Sequence, residues 1–199
     1  MYKTWGKRIL DFVVSLTGLV LLFPFLIILA VLSSLTHNGK PFFLQQRPGY
    51  REKIFTIVKF RTMREQKDEN GQLRPDAHRT THVGRFMRTY ALDELPQLWN
   101  VLTGDMSLIG PRPLLPEYLA LYNDLQRKRH AVLPGITGWA QIHGRNDVAW
   151  ENKFALDIWY VENISFALDF QILIITLSKI WKRNLSNSST AKFPEKFKG

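Results

Sequence analysis

The chain has 199 residues, one domain's worth and long enough for a real core. Lys and Arg number 27 against 17 Asp and Glu, a net charge of +10 that favours anionic partners: nucleic acid, anionic lipid or phosphorylated substrates. The absence of cysteine excludes disulfides and thiolate metal sites.

The first element is the run "ILDFVVSLTGLVLLFPFLIILAVLSSL" (Ile9–Leu35), whose one charge is Asp11. As a helix, Phe12–Leu35 reaches roughly 36 Å at 1.5 Å per residue, enough for a hydrocarbon core of about 30 Å. The apolar part is too long for a signal peptide, and no small-x-small site follows. Pro24, at its middle, removes a hydrogen bond and predicts a kink or break. Lys3, Lys7 and Arg8 precede the run, and Lys40, Arg47, Arg51 and Lys53 follow it. Basic flanks on both sides pull both ends toward the cytoplasm. A helix that breaks at Pro24, dips in and returns satisfies that; a kinked single span remains the alternative.

"PFFLQQRPGYREKIFTIVKF" (Pro41–Phe60) reads as a β-hairpin around Pro48-Gly49. The charged stretch Arg64–His82 reads as a surface loop. Helical patterning returns over Val83–Tyr90, and a second helix is expected from Asp93 to Gly104, where glycine supplies a left-handed cap. Leu115–Leu133 is a third amphipathic candidate, ended by Pro134-Gly135. In Asn152–Leu185 the longest uncharged stretch, Phe170–Ser178, is too short to span a bilayer. Trp159, Tyr160 and Trp181 with Lys179, Lys182 and Arg183 suit a helix in the headgroup region; a core helix with a solvated basic end has the same pattern. The fold class expected is therefore α+β, mostly α. Residues 1–36 are expected to form the re-entrant membrane helix, 37–185 the main domain with a small hairpin and amphipathic interfacial helices, and 186–199 a flexible polar tail.

The segment "LDELPQLWNVLTGDMSLIGPRP" (Leu92–Pro113) carries the chemistry. Asp93 in its ordinary role is a helix N-cap, and Pro96 agrees with a helix starting there. A helix N-terminus also collects phosphate. Consecutive helical side chains point about 100° apart, so Asp93 and Glu94 need not share one job: one can attack while the other holds a metal ion. A carboxylate approaching a diphosphate meets repulsion of about 4 kcal/mol per charge pair at 4 Å and effective ε ~20. Attack therefore needs cations, supplied by Mg²⁺ and by Arg or Lys. Mg²⁺ takes one or two protein carboxylates plus phosphate and water, so Glu94 suffices. Arg112, between Pro111 and Pro113, sits on a stiff extended loop and presents a fork suited to bidentate phosphate binding. Lys59, Arg88 and Arg145 are further phosphate-binding candidates.

Four ordered motifs, "KFRTM" (Lys59–Met63), Leu92–Pro113, "LPGITGWAQIHGRND" (Leu133–Asp147) and "LDIWYVENISFALD" (Leu156–Asp169), resemble the bacterial sugar transferase family of monotopic phosphoglycosyl transferases. The resemblance implies a bacterial inner-membrane enzyme with a cytoplasmic-face active site and a re-entrant helix broken at Pro24. Its reaction would move a sugar-1-phosphate from a UDP-sugar to undecaprenyl phosphate, the first membrane step of glycoconjugate biosynthesis. It places the nucleophile at Asp93, the Mg²⁺ ligand at Glu94 and the family's Pro-Arg-Pro loop at Pro111–Pro113. Asp157 and Asp169 match acidic positions of the C-terminal motif, with structural pairing as their alternative role. Overall similarity favours UDP-N,N′-diacetylbacillosamine as donor, while the pathway is open between protein glycosylation and surface polysaccharide. UDP-GlcNAc, UDP-GalNAc and UDP-hexoses for surface polysaccharide are the alternatives. Partners implied are the lipid bilayer and downstream glycosyltransferases, with no nucleic acid, since no aromatic-and-glycine RNA-binding signature occurs. Phe23, Leu133 and His143 stand where the family usually has Ser, Arg and Asn. Competing readings are a non-catalytic basic membrane scaffold and a two-carboxylate hydrolase.

Overall fold

A computed structural model describes residues 2–144, 149–183 and 197. After a π-helical turn, Tyr2–Gly6, the apolar run forms one helix, α1 (Lys7–Thr36), with Pro24 inside it. The break expected at Pro24 is not there: helix continues through it. Proline removes a single backbone bond and costs about 3 kcal/mol. Packing of the following turns offsets that cost, as Leu26, Leu29 and Ala30 meet Phe60, Met87 and Leu95 of the body.

The body is tied to α1 at both ends. Near its start, Arg8 donates to the carbonyls of Val101 and Leu102, Lys7 pairs with Asp169 at 2.6 Å, and Asp11 accepts from the Leu108 amide. Near its end, Ser33 Oγ lies 3.0 Å from Pro41 O and 2.9 Å from Arg61 O. The other side of the helix is apolar and exposed, including Phe12, Val20, Leu21, Phe23, Ile28 and Leu35.

The hairpin forms as read: β1 (Phe42–Pro48) pairs antiparallel with β2 (Ile54–Phe60), from Phe42 opposite Phe60 to Pro48 opposite Ile54. The Arg64–His82 stretch is mostly exposed and carries one short helix, α2 (Asp76–Arg79). Helix α3 (His82–Thr89) matches the expected position, its start capped by Thr81 accepting from the Gly84 amide. The helix expected from Asp93 begins later, as α4 (Gln97–Thr103), ended by Gly104 at φ 99°. Asp93 is therefore no N-cap; it lies in a 3₁₀ turn, Leu92–Glu94, entered through Ala91 at φ 56°.

Strand β3 (Ser107–Ile109) pairs parallel with β4 (Gly135–Thr137). The stretch between them is not one amphipathic helix. It runs as a 3₁₀ segment (Pro116–Leu121), the one-turn α5 (Asp124–Arg127) begun by an Asn123 capping box, and a second 3₁₀ turn (Lys128–Ala131). Then follow α6 (Trp139–His143), α7 (Trp150–Glu162) and α8 (Phe166–Arg183), so the C-terminal third holds two long helices separated at Asn163–Ser165. Ile109, Ile142, Tyr160, Leu168 and Ile172 bury the junction of β3, α6, α7 and α8. Helix α8 also exposes Phe166, Phe170, Ile174, Leu177 and Trp181. The tail expected over 186–199 lies outside the described residues apart from Phe197, which packs on Tyr118, Tyr122 and Phe154.

Candidate active site

The acidic pair is placed by local sequence and held by distant contacts. Left-handed Ala91 turns the chain sharply after α3, costing about 1–2 kcal/mol for a residue with a Cβ. The 3₁₀ turn that follows aims Asp93 and Glu94 into a cleft of about 660 Å³. The cleft collects Lys59 from β2, Arg88 from α3 and Arg112 from the loop after β3. Of the residues expected to bind phosphate, these three cations converge, whereas Arg145 lies outside the described residues.

Lys59 is positioned through Asn100 of α4. The Asn100 side chain accepts from the Val58 amide at 3.1 Å and donates to Thr56 O at 2.8 Å, occupying the free edge of β2 beside the lysine. Arg112 is positioned by a backbone crossing. A Cβ on Gly110 would lie 2.4 Å from Leu133 O, and one on Gly138 would lie 2.1 Å from Gly110 O. The "IGPRP" and "PGITG" motifs thus meet backbone to backbone, as only glycine permits.

Lys59 and Arg112 both hold Glu94 Oε1, at 2.8 and 2.7 Å. Burial raises the Glu94 pKa, but the two cations outweigh it and hold the carboxyl well below the usual range. Asp93 differs. It has no hydrogen bond or ion pair among the described residues, and burial together with the adjacent Glu94 charge pushes its carboxyl up. Lys59 is pushed down by burial and by Arg112, with Glu94 opposing, while Glu94 raises Arg112. The site thus pairs one carboxylate neutralised by two cations with one that has no ion pair among the described residues and is pushed up by burial, although Lys59, Arg88 and Arg112 lie near enough to oppose that shift.

Mg²⁺ fits the donors in one respect. Glu94 Oε2 has no hydrogen-bond partner among the described residues, and Asp93 stands beside it. The described residues contain no group of three or more His, Asp or Glu able to hold a metal by themselves. A cation here would need substrate phosphate to complete its shell, as Mg²⁺ commonly does.

Asp157 and Asp169 do not line the cleft. Asp169 accepts from Tyr2 Oη and Lys7 on one oxygen and from Tyr160 Oη on the other, knotting α1, α7 and α8 together. Asp157 forms a buried pair with Arg129, accepting from its Nε at 3.2 Å and Nη2 at 2.7 Å. The same Nη2 donates to the backbone carbonyl of Arg112 at 2.7 Å. Asp157 thus reaches the site through Arg129, which nothing in "LQRKRH" distinguishes from its basic neighbours. Also missed from sequence were Asn100, Thr137 and Gln141; all three sit within the four motifs but carry no charge to draw notice.

Lys59 and Arg112 gathered on Glu94, with Arg88 and Asp93 in the same cleft, make a site suited to anionic ligands; beside it runs a helix long and apolar enough to cross a membrane. The chain belongs to the bacterial sugar transferase family, whose model matches residues 2–183. It is 50% identical over 179 residues to the sugar transferase EpsL of Bacillus subtilis (strain 168), covering 87% of this chain and 86% of EpsL. It is 37% identical to the undecaprenyl-phosphate glucose phosphotransferase of Komagataeibacter xylinus, and 37% to the undecaprenyl-phosphate galactose phosphotransferase of Salmonella typhimurium (strain LT2). Each match covers 89% of this chain but only 36% and 41% of those longer relatives.

Proposed function

We propose that this chain transfers a sugar-1-phosphate from a UDP-sugar to undecaprenyl phosphate by covalent catalysis at Asp93. The observation that carries the reading is the contrast within the dyad: Glu94 neutralised by two cations, Asp93 unpaired beside it. An Asp93 oxygen attacks the sugar-side phosphorus, and a P–O(Asp) bond forms. The bond from that phosphorus to the bridging oxygen breaks, and UMP leaves with the electron pair. An undecaprenyl phosphate oxygen then attacks the same phosphorus, the acyl-phosphate bond breaks, and the Asp93 carboxylate is restored. Arg112, Arg88 and Lys59 hold the phosphate oxygens and offset the repulsion that each anionic attack meets. Glu94, through Oε2, would hold Mg²⁺, which when bound neutralises further diphosphate charge.

Both ends of α1 are bound to one body, which supports a helix that enters and leaves the bilayer on one side, the cytoplasmic one given its basic flanks. Pro24 then bends the helix rather than breaking it. Two relatives' names carry glucose and galactose, and that of ExoY from Rhizobium meliloti (strain 1021) carries exopolysaccharide production, which favours a UDP-hexose and surface polysaccharide over UDP-N,N′-diacetylbacillosamine and protein glycosylation. Intact mass after incubation with Mg²⁺ and a panel of UDP-sugars, without lipid acceptor, tests the mechanism and the donor together. The expected result is a gain of one phosphosugar, lost on adding undecaprenyl phosphate and absent in Asp93→Asn. An adduct persisting in Asp93→Asn would sink the nucleophile assignment.

A further inference from the structure

Phosphosugar transfer as set out above accounts for the charged residues of the cleft and leaves a second group of lining residues without a role. From β4, α6 and α8 the cleft is lined by Ile136, Thr137, Gln141, Leu173, Thr176 and Leu177. The two threonine hydroxyls bond each other at 2.8 Å. Gln141 is left with both Oε1 and Nε2 buried and without a hydrogen-bond partner among the described residues. An unpaired buried polar group destabilises a fold markedly, and native proteins rarely tolerate one without a function.

We infer that Gln141 is a recognition residue for the nucleotide sugar, taking an uncharged group that offers a hydrogen-bond donor and an acceptor side by side. The inference rests on the transferase reading and adds a contact with the donor substrate. A carboxamide offers an acceptor oxygen and N–H donors in one plane. A phosphate is an acceptor and leaves Oε1 unpaired, and a polyprenyl chain supplies neither partner. Both phosphates and the lipid acceptor are thereby set aside. On a UDP-sugar the matching groups are the uracil imide edge and the sugar's hydroxyl or acylamino groups. The part-buried aliphatic side chains Ile136 and Leu173, which share the cleft with Gln141, offer no competing polar contact and lower the local polarity, which strengthens the bond Gln141 makes.

The test uses the full chain in detergent, with Gln141→Leu as the near-isosteric variant lacking both polar atoms. Without ligand, Gln141→Leu should melt no lower than wild type, because an apolar side chain removes two unpaired polar atoms. Affinity for the UDP-sugar should fall roughly ten- to a hundredfold, with the KM for undecaprenyl phosphate unchanged. Gln141→Glu, which keeps the shape but lacks the N–H donors, should weaken donor binding likewise. UMP and N3-methyl-UMP separate the two sources. If wild type prefers UMP and Gln141→Leu loses that preference, the group is uracil. If UMP binds both forms equally while the UDP-sugar binds the variant weakly, the group is the sugar. Unchanged UDP-sugar affinity in Gln141→Leu, or a loss confined to undecaprenyl phosphate, overturns the inference while wild-type turnover keeps the transferase reading intact. Wild type forming no adduct and releasing no UMP with any donor overturns both.

Discussion

Replacing Asp157 by Asn should damage the protein twice, and the two kinds of damage can be separated. The Asp157–Arg129 pair is almost wholly buried, the side chains being 4% and 2% exposed. Removing one partner of such a pair costs about 3–5 kcal/mol, because the remaining charge is left buried and unpaired. For a chain of this size each kcal/mol shifts Tm by about 2–4 °C, so Asp157→Asn should melt roughly 6–20 °C below wild type. Arg129 also donates to the Arg112 carbonyl, so releasing it should loosen the loop that presents the Arg112 guanidinium to Glu94. The double variant Asp157→Leu with Arg129→Met replaces the pair by apolar side chains and should recover most of the lost Tm. It should not recover turnover: misplacing a phosphate-holding arginine is expected to lower kcat roughly ten- to a hundredfold. Thermal melts of detergent-solubilised protein and UMP release, measured on the same preparations, read the two effects. Asp157→Asn melting within about 2 °C of wild type, or the double variant turning over normally, would refute the reasoning.

Asp93→Asn should remove the covalent adduct and also raise Tm at neutral pH, because ionised Asp93 is penalised by burial and by Glu94. Its raised pKa means that this side chain's contribution to stability declines as pH rises through the folded value. By the same shift, kcat/KM should climb with pH along a limb lying above the ordinary aspartate range; a limb at or below that range would argue against Asp93 as nucleophile. Glu94 acts with the opposite sign, since its depressed pKa gives stability present above the unfolded value and lost as pH falls. Gly138→Ala puts a methyl 2.1 Å from Gly110 O and should destabilise by on the order of 1–3 kcal/mol, read as a lowered Tm. Cysteines at Thr4 and Asn38 should both react with an impermeant label from the cytoplasmic side alone; labelling from opposite sides would restore a spanning helix.

Local chemistry was the legible part. The hairpin at Pro48-Gly49, the α3 helix and the Gly104 cap depend on neighbouring residues and formed where the pattern put them. Leu115–Leu133 misled because its apolar spacing suits a helix while Asn123 offers a new cap at its middle, and the chain breaks there. Asp93 misled in another way. Aspartate ahead of Pro96 is a good helix start, but the chain enters this turn through left-handed Ala91 and winds it as 3₁₀.

The sequence by itself determined that a long apolar helix precedes a basic body carrying an acidic pair and a stiffened arginine, because charge, hydropathy and proline act within a few residues of where they stand. Tertiary structure alone decided what those residues are to one another. It brought Lys59 and Arg112, 53 positions apart in sequence, onto a single oxygen of Glu94, and left Asp93 without an ion pair among the described residues. It also fastened both ends of α1 to one body. The physical reason is range. A cap or a turn is settled by adjacent backbone, whereas an ion pair forms only after β2, α4 and the β3 loop have packed around it, and no spacing in the chain records that packing.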